Sequence, residues 1–393
     1  MSPALPNRPL DVFIVAGEES GDSLAAGLMA QLRLLHADGV HFRGVGGERM
    51  QAQGLVSLFP MEDITAMGFA QVIAGLPRIL RRMRDTANAI AAKPPDILVL
   101  VDAPDFTHRV ARKVRAKLPK LPIVKYVAPT VWVWRPGRAK AMAPDFNRVL
   151  ALLPFEPEVM RALGGPKTTY VGHPLLAELD QLRPNAQEAE RREATPPVVL
   201  VLPGSRRAEL ARLGAAFGEV LALLQRRMPD VELVLPTLPR RLAQVEETVA
   251  RWPVRPRIIV DEAEKRAAFR VARAALAASG TVTLELALAG IPTVAAYRVP
   301  WLEGRIVPYF ILVKTAILPN LILREQAVPE YLQWHIDPPD MAEKLARLIE
   351  GGAEREAQLA AFARLDAVLG AGDPPPGLRA AQAVLETLAE ATK

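Results

Sequence analysis

The sequence contains no cysteine, which removes a disulfide framework, a thiolate metal site and a cysteine nucleophile together. That suits a reducing compartment. Long uninterrupted apolar runs are also missing. The most apolar stretch, 306–323, is broken by Pro308, Lys314 and Pro319, which argues against a membrane span. No basic segment precedes an apolar core of normal length near Met1, so no signal peptide is expected. Acidic residues fall short of basic ones, 43 against 49, giving a net charge of +6 and a pI near 9.6. Excess positive charge draws anionic partners: nucleic acid, anionic lipid or a phosphorylated substrate. Half of the 393 residues are apolar and 23% are charged, a globular balance. The chain is too long for one ordinary core, so two domains are expected.

Short apolar runs alternate with helical patterns. Strands are expected at 12–16, 42–45, 97–101, 123–127 and 148–153, with a helix over 23–35 where Leu24, Leu28, Leu32 and Leu35 recur at helical spacing. Residues 182–197 are polar, charged and proline-bearing, and read as a linker. The pattern then restarts, with strands at 198–202, 231–235, 257–260, 274–277 and 292–297. The stretch 341–392 is rich in Ala, Leu and Glu and reads as helices broken around 370–377. The expected fold is α/β, with two Rossmann-like domains facing a cleft and C-terminal helices packing across both. The expected divisions are 1–181, 182–340 and 341–393, the last returning toward the N-terminal domain. Chemistry should sit just after the strands.

Several motifs occupy such positions. Gly17-Glu18-Glu19-Ser20-Gly21-Asp22 follows the first strand; it suits close ligand approach, or a turn with Ser20 or Asp22 as helix cap. Asp102-Ala103-Pro104-Asp105 follows the 97–101 run. A strand-end carboxylate can take a proton from an attacking hydroxyl, and Asp102 is the nearer of the pair. Asp105 orients it or stabilises the turn. Trp132 and Trp134 with Arg135 suit a sugar or acyl wall, or core packing. Pro203-Gly204-Ser205-Arg206 places a planar cation where it can clamp a diphosphate. Ser279-Gly280-Thr281 opens a helix whose amides can bind phosphate, and Glu285, one turn in, can accept from ribose hydroxyls. A cap with a first-turn acid reads equally simply. Finally, Met67, Phe69, Val72, Leu76, Ile79 and Leu80 accompany Arg78, Arg81 and Arg82, an apolar stripe beside cations that suits an anionic membrane face or a half-buried helix.

Taken in order, GEESGD, GVGGERM, DAPDF, APTVWVWR, LPFE, GHPL, LPGSRRAE, SGTVTLELAL, PTVAAYR and LPNLI resemble the lipid-A-disaccharide synthase family, from about residue 12 to 333. The resemblance implies a GT-B fold and an inverting transfer without metal or cofactor. The implied reaction moves 2,3-diacylglucosamine from UDP-2,3-diacylglucosamine to 2,3-diacylglucosamine 1-phosphate. It gives a β-1,6-linked disaccharide 1-phosphate and UDP. By the same resemblance Asp102 is the base, and Arg206, Ser279, Gly280, Thr281 and Glu285 hold UDP. Gly17, Glu18, Ser20 and Asn320 lie on the acceptor side, and the 67–84 segment meets acyl chains or membrane. The implied location is cytoplasmic, peripheral on the inner face of a bacterial inner membrane. Nucleic-acid binding is not expected, since the basic residues are scattered. Two rival readings are a UDP-sugar 2-epimerase of the same fold and a non-catalytic nucleotide- or membrane-binding protein.

Overall fold

Strand β1 (Leu10–Ala16) is apolar at almost every position because both of its faces are covered. Leu10, Val12, Ile14 and Ala16 enter one core, and Phe13 and Val15 enter another. Strand β4 (Ile97–Val101) does the same, with Leu98 and Leu100 on one side and Ile97, Val99 and Val101 on the other. Runs of this kind belong in the middle of a parallel sheet. The computed structural model describes residues 7–64, 69–204, 206–299, 313 and 315–392, and of 69–75 only the backbone.

The chain divides into two units, one comprising Met1–Leu176 with Gly372–Lys393 and the other Ala177–Ala371. In the first, β2 (Val40–Val45), β3 (Val56–Ser57), β5 (Ile123–Tyr126), β6 (Arg148–Ala151) and β7 (Thr168–Tyr170) join β1 and β4 in a parallel sheet ordered β3-β2-β1-β4-β5-β6-β7. The final helix, Pro376–Ala391, closes this unit. Its Ala380, Val384 and Leu388 pack in the core of Val12 and Ile14. Buried Arg148 of β6 donates to Glu386 (2.7 Å) and Glu390 (2.8 Å) of the same helix.

The second unit is a parallel sheet of β8 (Val198–Leu202), β9 (Glu232–Pro236), β10 (Arg257–Ile259), β11 (Ala272–Ala278), β12 (Thr293–Tyr297) and β13 (Glu330–Leu332), ordered β10-β9-β8-β11-β12-β13. Helices Pro338–Glu350 and Ala353–Leu369 belong here. No described helix is long and apolar enough to cross a membrane.

The stretch expected as a linker is ordered and lies inside the second unit. Asn185 and Glu188 form a reciprocal capping box that starts helix Ala186–Glu193. Arg192 on that helix is buried and donates to four carbonyls, those of Phe269, Arg270, Ala289 and Gly290. Those carbonyls end helices Glu262–Val271 and Thr281–Leu288, so the charged segment is a structural strut. Its composition misleads because one of its arginines points inward.

Both sheets reverse direction of growth once, between β1 and β4 and again between β8 and β11. In open α/β sheets, loops leaving the carboxyl ends of such paired strands diverge and leave a ligand crevice.

Candidate active site

In the first unit, the reversal brings the loops after β1 and β4 side by side, since Ala16 pairs with Val101. A Cβ on Gly17 would stand 2.7 Å from that of Ala103, so the close approach requires glycine. Asp102 and Ala103 both adopt left-handed backbone, with φ of 46° and 41°. Two consecutive non-glycine residues in that region store strain, on the order of 1–3 kcal/mol each, of the kind that accumulates at functional sites. Three main-chain contacts hold the turn: the Asp102 N–H donates to the Tyr126 carbonyl (2.9 Å), Thr107 Oγ1 reaches the Asp102 carbonyl (2.9 Å), and Lys125 Nζ donates to that same carbonyl. The Asp102 carboxylate takes no part in them. It accepts from Ser20 Oγ at 3.5 Å.

Other acids nearby have different tasks. Asp105 is 87% exposed and pairs with Arg138 at 3.2 Å, not with Asp102. Neither Ser20 nor Asp22 caps its own helix, Glu19–Leu35. Asp22 is buried and accepts from the amides of Gly47 (2.8 Å), Arg49 (3.0 Å) and Met50 (3.2 Å), tying the first motif to GVGGERM. Glu156, of LPFE, accepts from the amides of Leu152 and Leu153 and from Trp132 Nε1 at 3.2 Å. Burial pushes its carboxyl up to about 7 against the pull of those donors. Trp132 also meets Phe155 edge-on, whereas Trp134 is exposed with the Arg135 guanidinium 4.1 Å above its ring. The aromatic pair is therefore split, one ring packed and one facing solvent.

In the second unit, the corresponding reversal joins the loops after β8 and β11. Arg206 is 81% exposed and is anchored by Glu209, whose carboxylate accepts from its amide (3.2 Å) and its Nη1 (3.4 Å). Ser279 Oγ donates to the Ala316 carbonyl at 2.6 Å, fixing the turn instead of capping the helix. The N-cap of helix Thr281–Leu288 is Gly280, which has no side chain to cap it, and a Cβ there would meet no described atom within 4 Å. Helix-start amides of this kind can bind an anion. Thr281 is the first residue of that helix, and Glu285 sits one turn in, held by Lys265 Nζ at 3.3 Å. Burial raises the Glu285 carboxyl above the usual range, and Lys265 opposes the rise. Buried Asn320 donates to the Val328 carbonyl (2.9 Å) and accepts from the Val328 amide (2.8 Å), so its amide clamps a loop. It lies in the second unit, apart in sequence and unit from Gly17, Glu18 and Ser20.

The amphipathic segment forms helix Phe69–Ala92, with Pro77 inside it. Met67 lies outside the described residues, as do the side chains of Phe69 and Val72. Leu76 and Leu80 are 43% and 39% exposed, beside exposed Arg78 and Arg81. Ile79 packs on the core, and Arg82 is engaged by Asp63 (2.6 Å) and stacks 4.6 Å above the Phe59 ring.

Comparison with known proteins decides the family. A family model described as Lipid-A-disaccharide synthetase matches residues 12–369. A lipid-A-disaccharide synthase from Nitrobacter hamburgensis is 54% identical over 382 residues, covering 97% of this chain and 96% of its own. The chain belongs to the lipid-A-disaccharide synthase family. A second member, from Bradyrhizobium diazoefficiens, is 52% identical over 377 residues and covers 96% of each chain. The enzyme is accordingly a glycosyltransferase of lipid A synthesis. Among solved structures, the UDP-GlcNAc 2-epimerase from Neisseria meningitidis bound to UDP-GlcNAc gives a TM-score of 0.63 at 13% identity, covering 97% of this chain and 100% of its own. The trehalose 6-phosphate synthase from Burkholderia multivorans gives 0.61 at 15% identity, covering 98% and 100%. At such identity they share the two-domain GT-B fold, and nothing in them recommends the epimerase reading over the family's own reaction.

Sequence reasoning missed Lys125 and Lys265, the partners of Asp102 and Glu285. A lysine inside an otherwise apolar strand was the available signal for the first.

Proposed function

We propose that the enzyme transfers 2,3-diacylglucosamine from UDP to the 6-hydroxyl of 2,3-diacylglucosamine 1-phosphate, with inversion. The observation that carries this reading is the twin placement of chemistry at strand reversals. The strained turn after β4 carries a carboxylate, and the helix after β11 starts at a glycine N-cap, whose neighbouring amides suit an anion. Asp102 takes the proton of the acceptor hydroxyl as that oxygen attacks the anomeric carbon. The bond to the UDP oxygen breaks, and the departing diphosphate is stabilised by Arg206 and the amides at Gly280 and Thr281. Glu285 accepts from the ribose. Gly17, Glu18 and Ser20 border the acceptor. Relatives of the same fold were solved with UDP-GlcNAc or UDP, which supports a uridine diphosphate as the ligand class.

UDP should raise the melting temperature, since a ligand at 100 times its Kd adds about 2.7 kcal/mol. Arg206→Ala should remove most of that rise. Without UDP it should change stability by less than about 0.5 kcal/mol, because the pair with Glu209 is exposed. Differential scanning fluorimetry checks both. An undiminished UDP shift in the variant would reassign the diphosphate contact.

The same reading places the enzyme peripherally on the cytoplasmic face of the inner membrane. Leu76 and Leu80 enter the lipid, and Arg78 and Arg81 meet anionic headgroups, each worth about 1 kcal/mol. Vesicles containing anionic phospholipid should float the protein, and Leu76→Ser with Arg81→Ala should reduce the bound fraction. Equal flotation on purely zwitterionic vesicles would contradict the electrostatic part.

A further inference from the structure

Lys125 occupies a position that stability alone would give to an aliphatic residue. It is the third residue of β5 and is 1% exposed. Its neighbour Ile123 points into the core of Leu98, Leu100, Phe106 and Val110, and the alternation of the strand sends Lys125 to the same face. No carboxylate contacts the ammonium within salt-bridge distance among the described residues. It donates instead to the Asp102 carbonyl and to Thr107 Oγ1 (3.0 Å). It also lies against the first turn of helix Pro104–Lys117, where the helix dipole disfavours a cation. Burying a charge this way is expensive. What the ammonium holds is the strained main chain of Asp102.

We propose that Lys125 is a positioning residue for the transfer: with Thr107 it fixes the carbonyl of Asp102 in the left-handed turn, which aims the carboxylate, and its ionisation makes that hold depend on pH. This rests on Asp102 being the base. The carbonyl is drawn inward under the turn, and the side chain on the same residue is left to face the Gly17–Ser20 loop. Burial, opposed by Asp102, brings the Lys125 ammonium down to about 7. Arg138, from helix Gly137–Met142, lowers it further, and Glu18, from the turn after β1, raises it. His108, on the helix above, is held near 3 by burial and by the cations around it, so it stays neutral and does not titrate in the same range. The charge-assisted bond is therefore complete below about pH 7 and weakens above it.

Lys125→Met keeps the stem and removes the charge. The expected result is a kcat lower by about 10- to 100-fold, the loss that a small misplacement of a reacting group produces. KM for both substrates should change little, the melting temperature should stay equal or rise, and the alkaline limb of kcat that begins near pH 7 in the native enzyme should disappear. A purely structural lysine would instead lower the melting temperature and leave the limb in place. Unchanged kcat with an unchanged pH profile would overturn the proposal, even with Asp102→Asn inactive. Retention of activity by Asp102→Asn would instead remove the base reading and this proposal with it. Should Lys125→Met fail to fold, Thr107→Val decides. Loss of the hydroxyl partner should lower kcat and move the limb to lower pH, and an unmoved limb would refute the role.

Discussion

Asp102→Asn is expected to lower turnover by about 10²- to 10⁴-fold, or about 3–5 kcal/mol of transition-state stabilisation, while UDP binding is preserved. The substitution is nearly isosteric, and the structure explains why its effect should be clean. The contacts that hold the turn run through the Asp102 amide and carbonyl, to Tyr126, Thr107 and Lys125, and none uses the carboxylate. Asparagine can keep the contact with Ser20 Oγ but cannot accept the acceptor hydroxyl's proton at neutral pH. In the proposed reading UDP is held in the other unit, at Arg206 and the start of helix Thr281–Leu288, so its thermal shift should survive. Asp105→Asn is the matched control. Its carboxylate is exposed and paired with Arg138, and its loss should change kcat by less than about 10-fold. Steady-state kinetics with both lipid substrates, alongside fluorimetry with UDP, reads all of these at once. If Asp105→Asn were the inactive variant and Asp102→Asn the active one, the assignment would be inverted.

The second large effect concerns stability. Gly44→Ala should prevent stable folding of the first unit. Gly44 pairs with Ile14 across β1 and β2 at φ 150°, and a Cβ there would stand 1.7 Å from the Ile14 carbonyl oxygen. That obstacle is main chain in the centre of the sheet, so no side chain can turn aside. Separating β1 from β2 would also move the Gly17–Ser20 loop, which follows β1 directly. The expected cost is about 4 kcal/mol or more, a large part of the ~5–15 kcal/mol that holds a domain. Gly39→Ala is a useful comparison. Gly39 has φ 89°, but a Cβ there would meet no described atom within 4 Å, so only conformational strain applies, about 1 kcal/mol. Far-UV circular dichroism and chemical denaturation separate the two. A Gly44→Ala protein with native stability would mean that β1 and β2 do not pair as described.

The strands in the middle of both sheets were legible because burial on both faces writes itself as consecutive apolar residues, as in Ile97–Val101 and Val198–Leu202. The loops that follow them were legible through Gly17, Asp102, Arg206 and Gly280, since residue types suited to tight turns and anions stand directly after strands. The edge strands Val56–Ser57, Thr168–Tyr170 and Glu330–Leu332 were not. They are two or three residues long and half-exposed, so their pairing depends on the neighbouring strand and leaves no periodic pattern. Charged residues turned inward were hidden for a related reason. Arg192 satisfies helix-end carbonyls distant in sequence, Arg148 reaches the final helix, and Lys125 reaches a strained turn. Asp22 likewise caps another helix instead of its own, a partner that only tertiary structure supplies.

The most direct test of the central claim is UDP release by the purified enzyme from UDP-2,3-diacylglucosamine, with and without 2,3-diacylglucosamine 1-phosphate. The account predicts release that depends on the acceptor, matched one for one by a β-1,6-linked disaccharide 1-phosphate. Release of UDP at the same rate without acceptor, with no disaccharide formed, would contradict it.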